Sequence, residues 1–205
     1  MRSALLGMFL IILVSPAAWA QTGKHLAIGG GLGLTNYTDK DFSSKNPSVS
    51  LAYRINLKTD AKDGWSWAPK SGLGWSRRNT SSDIGGLRTP LGKLQTILVM
   101  AGIQRGLRQG PWQVGFGVVA GAAIHKFDVD RAARAAAINV KNSIAVKPEI
   151  SAWYDLNQWF AVQGSLSYLF DRPKADTVTL GGPNTTATWT TDHASASLGL
   201  VVGIF

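Results

Sequence analysis

The chain has 205 residues, a formal charge of +9 and no cysteine, which excludes a disulfide scaffold and a lipid-acylated cysteine anchor. A basic balance of this size suits nucleic acid, but an export signal at the start of the chain removes that partner. Beyond that signal no apolar run approaches the ~18 residues of a membrane-crossing helix, so a mature chain that enters a membrane must do so as a closed β-barrel. In chain order, residues 1–20 read as a cleaved signal peptide: Arg2 opens it, Leu5 to Val14 form its apolar run, and Ala18-Trp19-Ala20 supply the cleavage triplet. Residues 21–205 are then one domain.

Eight stretches of that domain alternate between apolar and small or polar residues, with the period of a strand. The first sets Leu26, Ile28, Leu32 and Leu34 against Ala27, Gly29, Gly31, Gly33 and Thr35. The second sets Val49, Leu51, Tyr53, Ile55 and Leu57 against Ser48, Ser50, Ala52, Arg54 and Asn56. In the third, Trp65, Trp67, Leu73 and Trp75 oppose a face bearing Lys70 and Ser76; in the fourth, Ile97, Val99 and Ile103 oppose Thr96, Leu98, Met100 and Gln104. The fifth runs from Trp112 to His125, with Val114, Phe116 and Val118 on one side and Gly115, Gly117 and Gly121 on the other. The sixth sets Ile144, Val146, Ile150 and Tyr154 against Ser143, Lys147, Glu149 and Trp153. The seventh sets Phe160, Val162, Leu166, Tyr168 and Phe170 against Gln163, Ser165 and Ser167, and the eighth sets Leu198, Leu200, Val202 and Ile204 against His193, Ser195, Ser197 and Gly199.

Each stretch spans the ~9–11 residues that cross a bilayer at a tilt. The second faces are glycine, serine and alanine, which fit the narrow interior of an eight-strand ring, and the apolar faces carry almost no charge. A soluble ligand-binding barrel needs the reverse. The pattern therefore predicts an all-β fold: an eight-stranded antiparallel transmembrane β-barrel of up-and-down topology, with the apolar faces toward lipid. On this reading Val118→Arg is disruptive and Gly117→Ser, inward and next door, is mild.

The connections alternate in length. Lys58 to Gly64, Gln109 to Pro111 and Asp155 to Gln158 are short; Asp39 to Pro47, Arg78 to Pro90, Asp128 to Lys141 and Arg172 to Thr188 are long and polar. Outer-membrane barrels put short turns in the periplasm and long loops outside. Within the fifth connection, Asp130 to Ala137 is expected to form a short helix over the barrel mouth. Aromatic residues gather at strand ends, as membrane interfaces favour: Trp65, Trp67, Trp112, Tyr154 and Phe160 at the periplasmic rim, and Tyr37, Trp75, Tyr168 and Phe170 at the outer rim.

The signal peptide, the eight alternating stretches and the terminal stretch Ala194–Phe205 resemble the small outer-membrane β-barrel proteins of Gram-negative bacteria, of the outer membrane protein A and outer membrane protein W kind. The segments from Val99 to Gly121 and from Ile150 to Pro173 are similar to the barrel domains of that group. The resemblance implies a location in the outer membrane, and a terminal phenylalanine, here Phe205, read by the barrel-assembly machinery. Phe205 departs from the pattern, because parity puts it on the face of Gly203 and Gly199. The separate peptidoglycan-binding domain of the longer outer membrane protein A relatives is not expected here.

Chemistry inside the ring is expected from a charge network. Glu149 is the only glutamate, and it shares the inward faces with Lys147, Arg54 and Lys70. A buried carboxylate has to be paired, so Glu149 is expected to contact one or more of the three. Such a network either plugs the lumen or, as the resemblance suggests, gates a narrow water path. An enzyme acting on lipid A needs a histidine beside a serine and an acid. His25, His125 and His193 show no such spacing and are expected to be solvated at the rims, and no metal-ligand pattern is present. Lys40, Lys45, Arg77, Arg78, Arg88, Arg131, Arg134, Arg172 and Lys174 fall in the outer loops and rim, at the level of lipopolysaccharide phosphates. The expectation is a non-enzymatic envelope protein with a structural or surface role, its lumen plugged or narrowly conductive and without cofactor. Its expected partners are outer-membrane lipids, lipopolysaccharide and the assembly machinery. A small pore is the alternative, a lipid A-modifying enzyme the third reading, and the oligomeric state is open.

Overall fold

The computed structural model describes residues 25–37, 46–56, 64–84, 87–130, 136–157, 159–179 and 184–203. Its strands are β1 (His25–Tyr37), β2 (Asn46–Asn56), β3 (Gly64–Ile84), β4 (Leu87–Gln109), β5 (Trp112–Val129), β6 (Ala136–Val140), β7 (Ser143–Asp155), β8 (Phe160–Asp171), β9 (Lys174–Thr179), β10 (Thr185–Thr188) and β11 (His193–Gly203). Eight of them close into an antiparallel barrel in the order β1-β11-β8-β7-β5-β4-β3-β2, and the other three form a small sheet in the order β10-β9-β6. Each wall strand pairs with the wall strands before and after it in the chain, and β11 closes onto β1. The topology is therefore up-and-down. Residues 1–24 and Phe205 lie outside the described residues, and with them the signal peptide, Trp19 and the terminal phenylalanine.

The alternation places the side chains as a lipid-facing wall requires. On β5, Trp112, Val114, Phe116, Val118 and Ile124 are exposed, while Gln113, Val119, Ala123 and His125 are buried. Leu32, Leu34, Leu73, Ile97, Ile103, Ile150, Leu166, Leu198 and Leu200 continue the apolar band around the ring. An exposed apolar band of this extent is stable only against hydrocarbon, so the barrel is a transmembrane one. The wall can be this narrow because neighbouring backbones approach where the inward residue is glycine. A Cβ on Gly121 would lie 2.0 Å from the Val99 carbonyl oxygen, and one on Gly117 would lie 2.7 Å from that of Ile103. Gly117→Ser is thus not mild, contrary to the reading from the alternation, because β4 backbone rather than open lumen faces it.

A test of that tight wall compares two inward glycines. Gly74 has room, its nearest neighbour to an added Cβ being Leu98 at 3.4 Å. Gly121→Ala is expected to lower the urea midpoint of the refolded barrel by an amount worth about 1–3 kcal/mol, the usual scale for overpacking, and Gly74→Ala to leave it nearly unchanged. Equal midpoints would show that β4 and β5 separate without cost.

The two ends of the barrel differ. At one end β4 joins β5 and β7 joins β8 by tight connections. Gly110, at φ +56°, starts a turn that sets Gln109 opposite Trp112, and the Asn157 Oδ1 accepts from the Trp159 and Phe160 backbone N–H groups at 2.8 and 2.9 Å. At the other end three of the long connections contain strands. Arg78 to Pro90 is an extension of the β3–β4 hairpin, with Ile84 opposite Leu87 and a register shift between Thr80 and Ser81. Gly92 makes that shift possible: it sits at φ +156°, and a Cβ there would meet the Asp128 carbonyl oxygen at 2.3 Å. Residues 136–140, 174–179 and 185–188 form β6, β9 and β10, the small sheet, which packs against the end of β5. Ala136 and Ala137 are strand rather than helix, and residues 131–135 are outside the described ones. Segments this short become strands only through one another, since an isolated pair is marginal in water.

Candidate functional site

Inward side chains fill the barrel in layers, and the layers differ in chemistry. Nearest the turn end, Trp153, Ala27, Ala161 and Val201 form an apolar cluster. Beside it Gln104 Nε2 donates to Ser151 Oγ at 2.9 Å, both residues being buried, and Gln113 is buried nearby in the chain on β5. Arg108 closes this rim by donating to Asp155 at 2.5 Å.

The next layer is ionic. Lys70 Nζ on β3 reaches Glu149 Oε1 on β7, three strands away around the wall, and Lys147 Nζ lies 3.4 Å from Glu149 Oε2. Glu149 is 6% exposed and Lys70 9%, so this carboxylate is held between two ammonium groups away from bulk water. Of the four residues singled out from the sequence, the structure brings together Lys70, Lys147 and Glu149. Arg54 pairs with Lys70 in the β2–β3 register, and its side chain lies outside the described ones. Met100, Val119, Ala123, Ala145 and Leu169, with Leu98 against them, fill the lumen next to this cluster on the β4, β5, β7 and β8 side. The β1, β2, β3, β8 and β11 side stays open as a cavity of about 110 Å³, lined by Ser48, Ser50, Ser76, Ser165, Ser167 and Ser197 among others. Ser165–Ser197 and Ser167–Ser195 hydroxyl pairs, each at 2.7 Å, tie its wall together.

Above these, at the sheet end, lies a constellation the sequence reading missed. His125 stands between Thr96 and Ser143: its Nδ1 is 3.1 Å from Thr96 Oγ1 and its Nε2 is 3.0 Å from Ser143 Oγ. Ser143 donates to Asp171 Oδ1 at 2.5 Å, Thr191 donates to Asp171 Oδ2 at 2.5 Å, and His125 Nε2 is itself 3.4 Å from Asp171. Histidine, serine and acid thus do meet, though on three different strands. Their order is not that of a nucleophile relay, in which the acid holds the imidazole nitrogen remote from the serine. Here Asp171 and Ser143 share one ring nitrogen and the serine proton goes to the carboxylate. His125 and His193 are buried, not solvated at the rim as the sequence suggested: Thr96, Ser143 and Asp171 surround His125, and Tyr37 and the Thr191 backbone cover His193. His193 stacks at 4.5 Å on Tyr37 and its Nδ1 lies 3.0 Å from the Thr191 carbonyl oxygen.

The small sheet packs on the end of the barrel through a shared core, made of Tyr37, Leu94, Val140 and Ala175 with Phe127, Ile138 and Trp189 packed against them. Two residues placed at the surface by the sequence reading are buried at it. Tyr37 is 7% exposed rather than part of an aromatic rim, and Arg78 is 3% exposed with its guanidinium 4.2 Å over the Tyr37 ring. The hairpin extension turns Arg78 to the inward parity shared with Ser76 and Thr80. On the outside of the sheet Asp176 accepts from Lys141 and Thr186, both at 2.8 Å, and these bonds hold its carboxyl below the usual carboxylate range.

The remaining aromatics from the sequence reading stand on the outward wall. Trp65, Trp67, Trp112, Tyr154 and Phe160 are exposed near the turn end, Trp75 and Phe170 near the sheet end. Trp112 packs against Tyr154 at 4.7 Å and half-buried Tyr168 against Phe170 at 4.7 Å. Of the outer cations, Arg77 is exposed, Arg172 lies 3.5 Å from Asp192 and Lys174 is exposed. The side chain of Arg88 and residues Lys40, Lys45, Arg131 and Arg134 lie outside those described.

Closed ring, outward apolar band and filled interior define a small transmembrane β-barrel. No family model and no curated protein matches this chain in sequence. Among solved structures it is similar to the outer membrane protein OprG from Pseudomonas aeruginosa, at 13% identity and a TM-score of 0.67 over 90% of this chain and 97% of that one. It is also similar to a major outer membrane protein from Thermus thermophilus, at 11% identity and a TM-score of 0.53 over 89% and 100% of the two chains. Neisserial surface protein A matches at 9% identity and a TM-score of 0.50, over 88% and 97%. At these identities the likeness is one of fold, that of the small eight-stranded outer-membrane barrels.

Proposed function

We propose that this is an outer-membrane protein of a Gram-negative envelope with a structural or surface role, whose lumen is closed to solutes at rest. The observation that carries the closed lumen is the clasp of Glu149 between Lys70 and Lys147, set between an apolar cluster around Trp153 and the buried His125 network. An ionic crossing of the lumen held at low dielectric is not displaced by a hydrated ion without stranding a charge. The sheet end, with its own core, then faces outside, where Arg77, Lys93 and Lys126 are exposed above the apolar band toward lipopolysaccharide phosphates. Export through a cleaved signal and insertion by the barrel-assembly machinery complete this reading, which assigns the protein no enzymatic activity.

The cavity favours the second reading, a narrow path for water or small solutes, since about 110 Å³ beside Lys70, Lys147, Glu149 and several serine hydroxyls has room and partners for several waters, although Leu98, Met100 and Val119 line it as well. Planar-bilayer recording on refolded protein separates the two. The expected result is a baseline without steady single-channel steps, and a stable open level in the unmodified protein would establish the pore instead.

A further inference from the structure

We infer that the lipid-facing wall carries a binding site for the phosphodiester of a glycerophospholipid, built on Arg105. Along β4 the outward positions are Ile97, Val99, Ala101 and Ile103, and then Arg105, a cation on a face otherwise turned to hydrocarbon. It is opposite Trp67 on β3 and Phe116 on β5, with Trp65 beside it. Its guanidinium lies 4.8 Å from the Trp65 ring and 5.4 Å from that of Trp67, and Phe116 meets Trp65 edge-on at 6.2 Å, bracing the first indole. The side chain is half-buried, its Nε is covered without a hydrogen-bond partner, and it makes no ion pair among the described residues. The other rim arginine of β4 contrasts with it, for Arg108 is neutralised by Asp155.

Two indoles hold the guanidinium by cation–π attraction and fix its plane, so little side-chain freedom remains to be lost on binding. They also keep it at the depth where tryptophan rings lie, which is the level of lipid headgroups. A planar cation fixed at that depth matches two oxygens of a phosphodiester, whose charge-assisted bonds supply the counter-charge that the wall does not. The partner is therefore a phospholipid headgroup with its acyl chains along Ile103 and Val118, and not a solute from either aqueous side. With the sheet end outside, as proposed above, this headgroup belongs to the periplasmic leaflet; the contact itself needs no more than the transmembrane fold.

Native mass spectrometry of the barrel refolded in a sugar-headed detergent tests this, with phosphatidylethanolamine as the phospholipid and a galactosyl diacylglycerol as a lipid without phosphate. Phosphatidylethanolamine carries no net charge, so bulk attraction to a basic protein is not what is read. The wild type is expected to retain one phospholipid about tenfold more tightly than the galactolipid, and Arg105→Gln to lose that preference. Gel migration before and after boiling confirms that the variant is folded. If it is not, the wild-type preference between the two lipids still decides the matter. Equal affinity of wild type for both lipids, undiminished phospholipid retention in folded Arg105→Gln, or release of the lipid by equimolar inorganic phosphate would each overturn the site. A closed or open lumen would leave all of these outcomes unchanged.

Discussion

Val118→Arg is expected to prevent assembly of the barrel. Val118 stands at mid-strand on β5, between Ile103 and Pro148 in the register of its two neighbours, and is 49% exposed on the outward wall. An arginine at mid-span on this hydrocarbon-facing side costs about 2–4 kcal/mol. The measurement is the fraction that becomes heat-modifiable on refolding into vesicles, together with the urea midpoint of whatever folds. Wild-type yield and midpoint would mean that Val118 does not face hydrocarbon. Gly74→Ser is the matched inward control, because its surroundings leave room for a side chain.

Glu149→Ala is expected to destabilise the barrel by about 3 kcal/mol, the scale for stranding a buried charge. The substitution withdraws the carboxylate that Lys70 and Lys147 share and leaves two ammonium groups on opposite parts of the wall repelling one another. Glu149→Gln keeps the volume and removes only the charge, so a similar loss in both variants assigns the effect to the ion pair and not to a void. If the clasp also closes the lumen, both variants raise single-channel current, since water enters to solvate the cations beside the serine-lined cavity. Unchanged midpoint with unchanged current would place Glu149 in solvent and remove the basis for a closed lumen.

The layers inside the barrel were partly readable in advance, for reasons that differ from residue to residue. Thr96, His125 and Ser143 were all on inward faces by parity, and the tight turn at Gly110 sets Thr96 opposite His125. Ser143 could not be aligned with them from the sequence, because β6 and residues 131–135 intervene between β5 and β7 and no tight turn counts the register. Asp171 escaped notice as the last residue of β8, where alternation merges into the following polar segment. Lys70 and Glu149 were recognisable as inward, but their meeting crosses the lumen between strands that are not neighbours. Curvature decides such a contact, and pairing rules do not report it. The same holds for Gly117, whose inward parity was clear while the closeness of the Ile103 carbonyl was not.

The sequence by itself determined the wall: strand number, antiparallel order, and which residues face lipid, because alternation at period two is a local property that a bilayer converts directly into inside and outside. Tertiary structure alone decided what happens at the sheet end. Residues 136–140, 174–179 and 185–188 are too short to hold as strands alone, and they pair with one another against the apolar surface that Tyr37, Leu94 and Phe127 offer there. Tyr37 in turn covers Arg78 and His193, and Thr96, Ser143 and Asp171 enclose His125, so three groups expected at the solvated rim become parts of the interior.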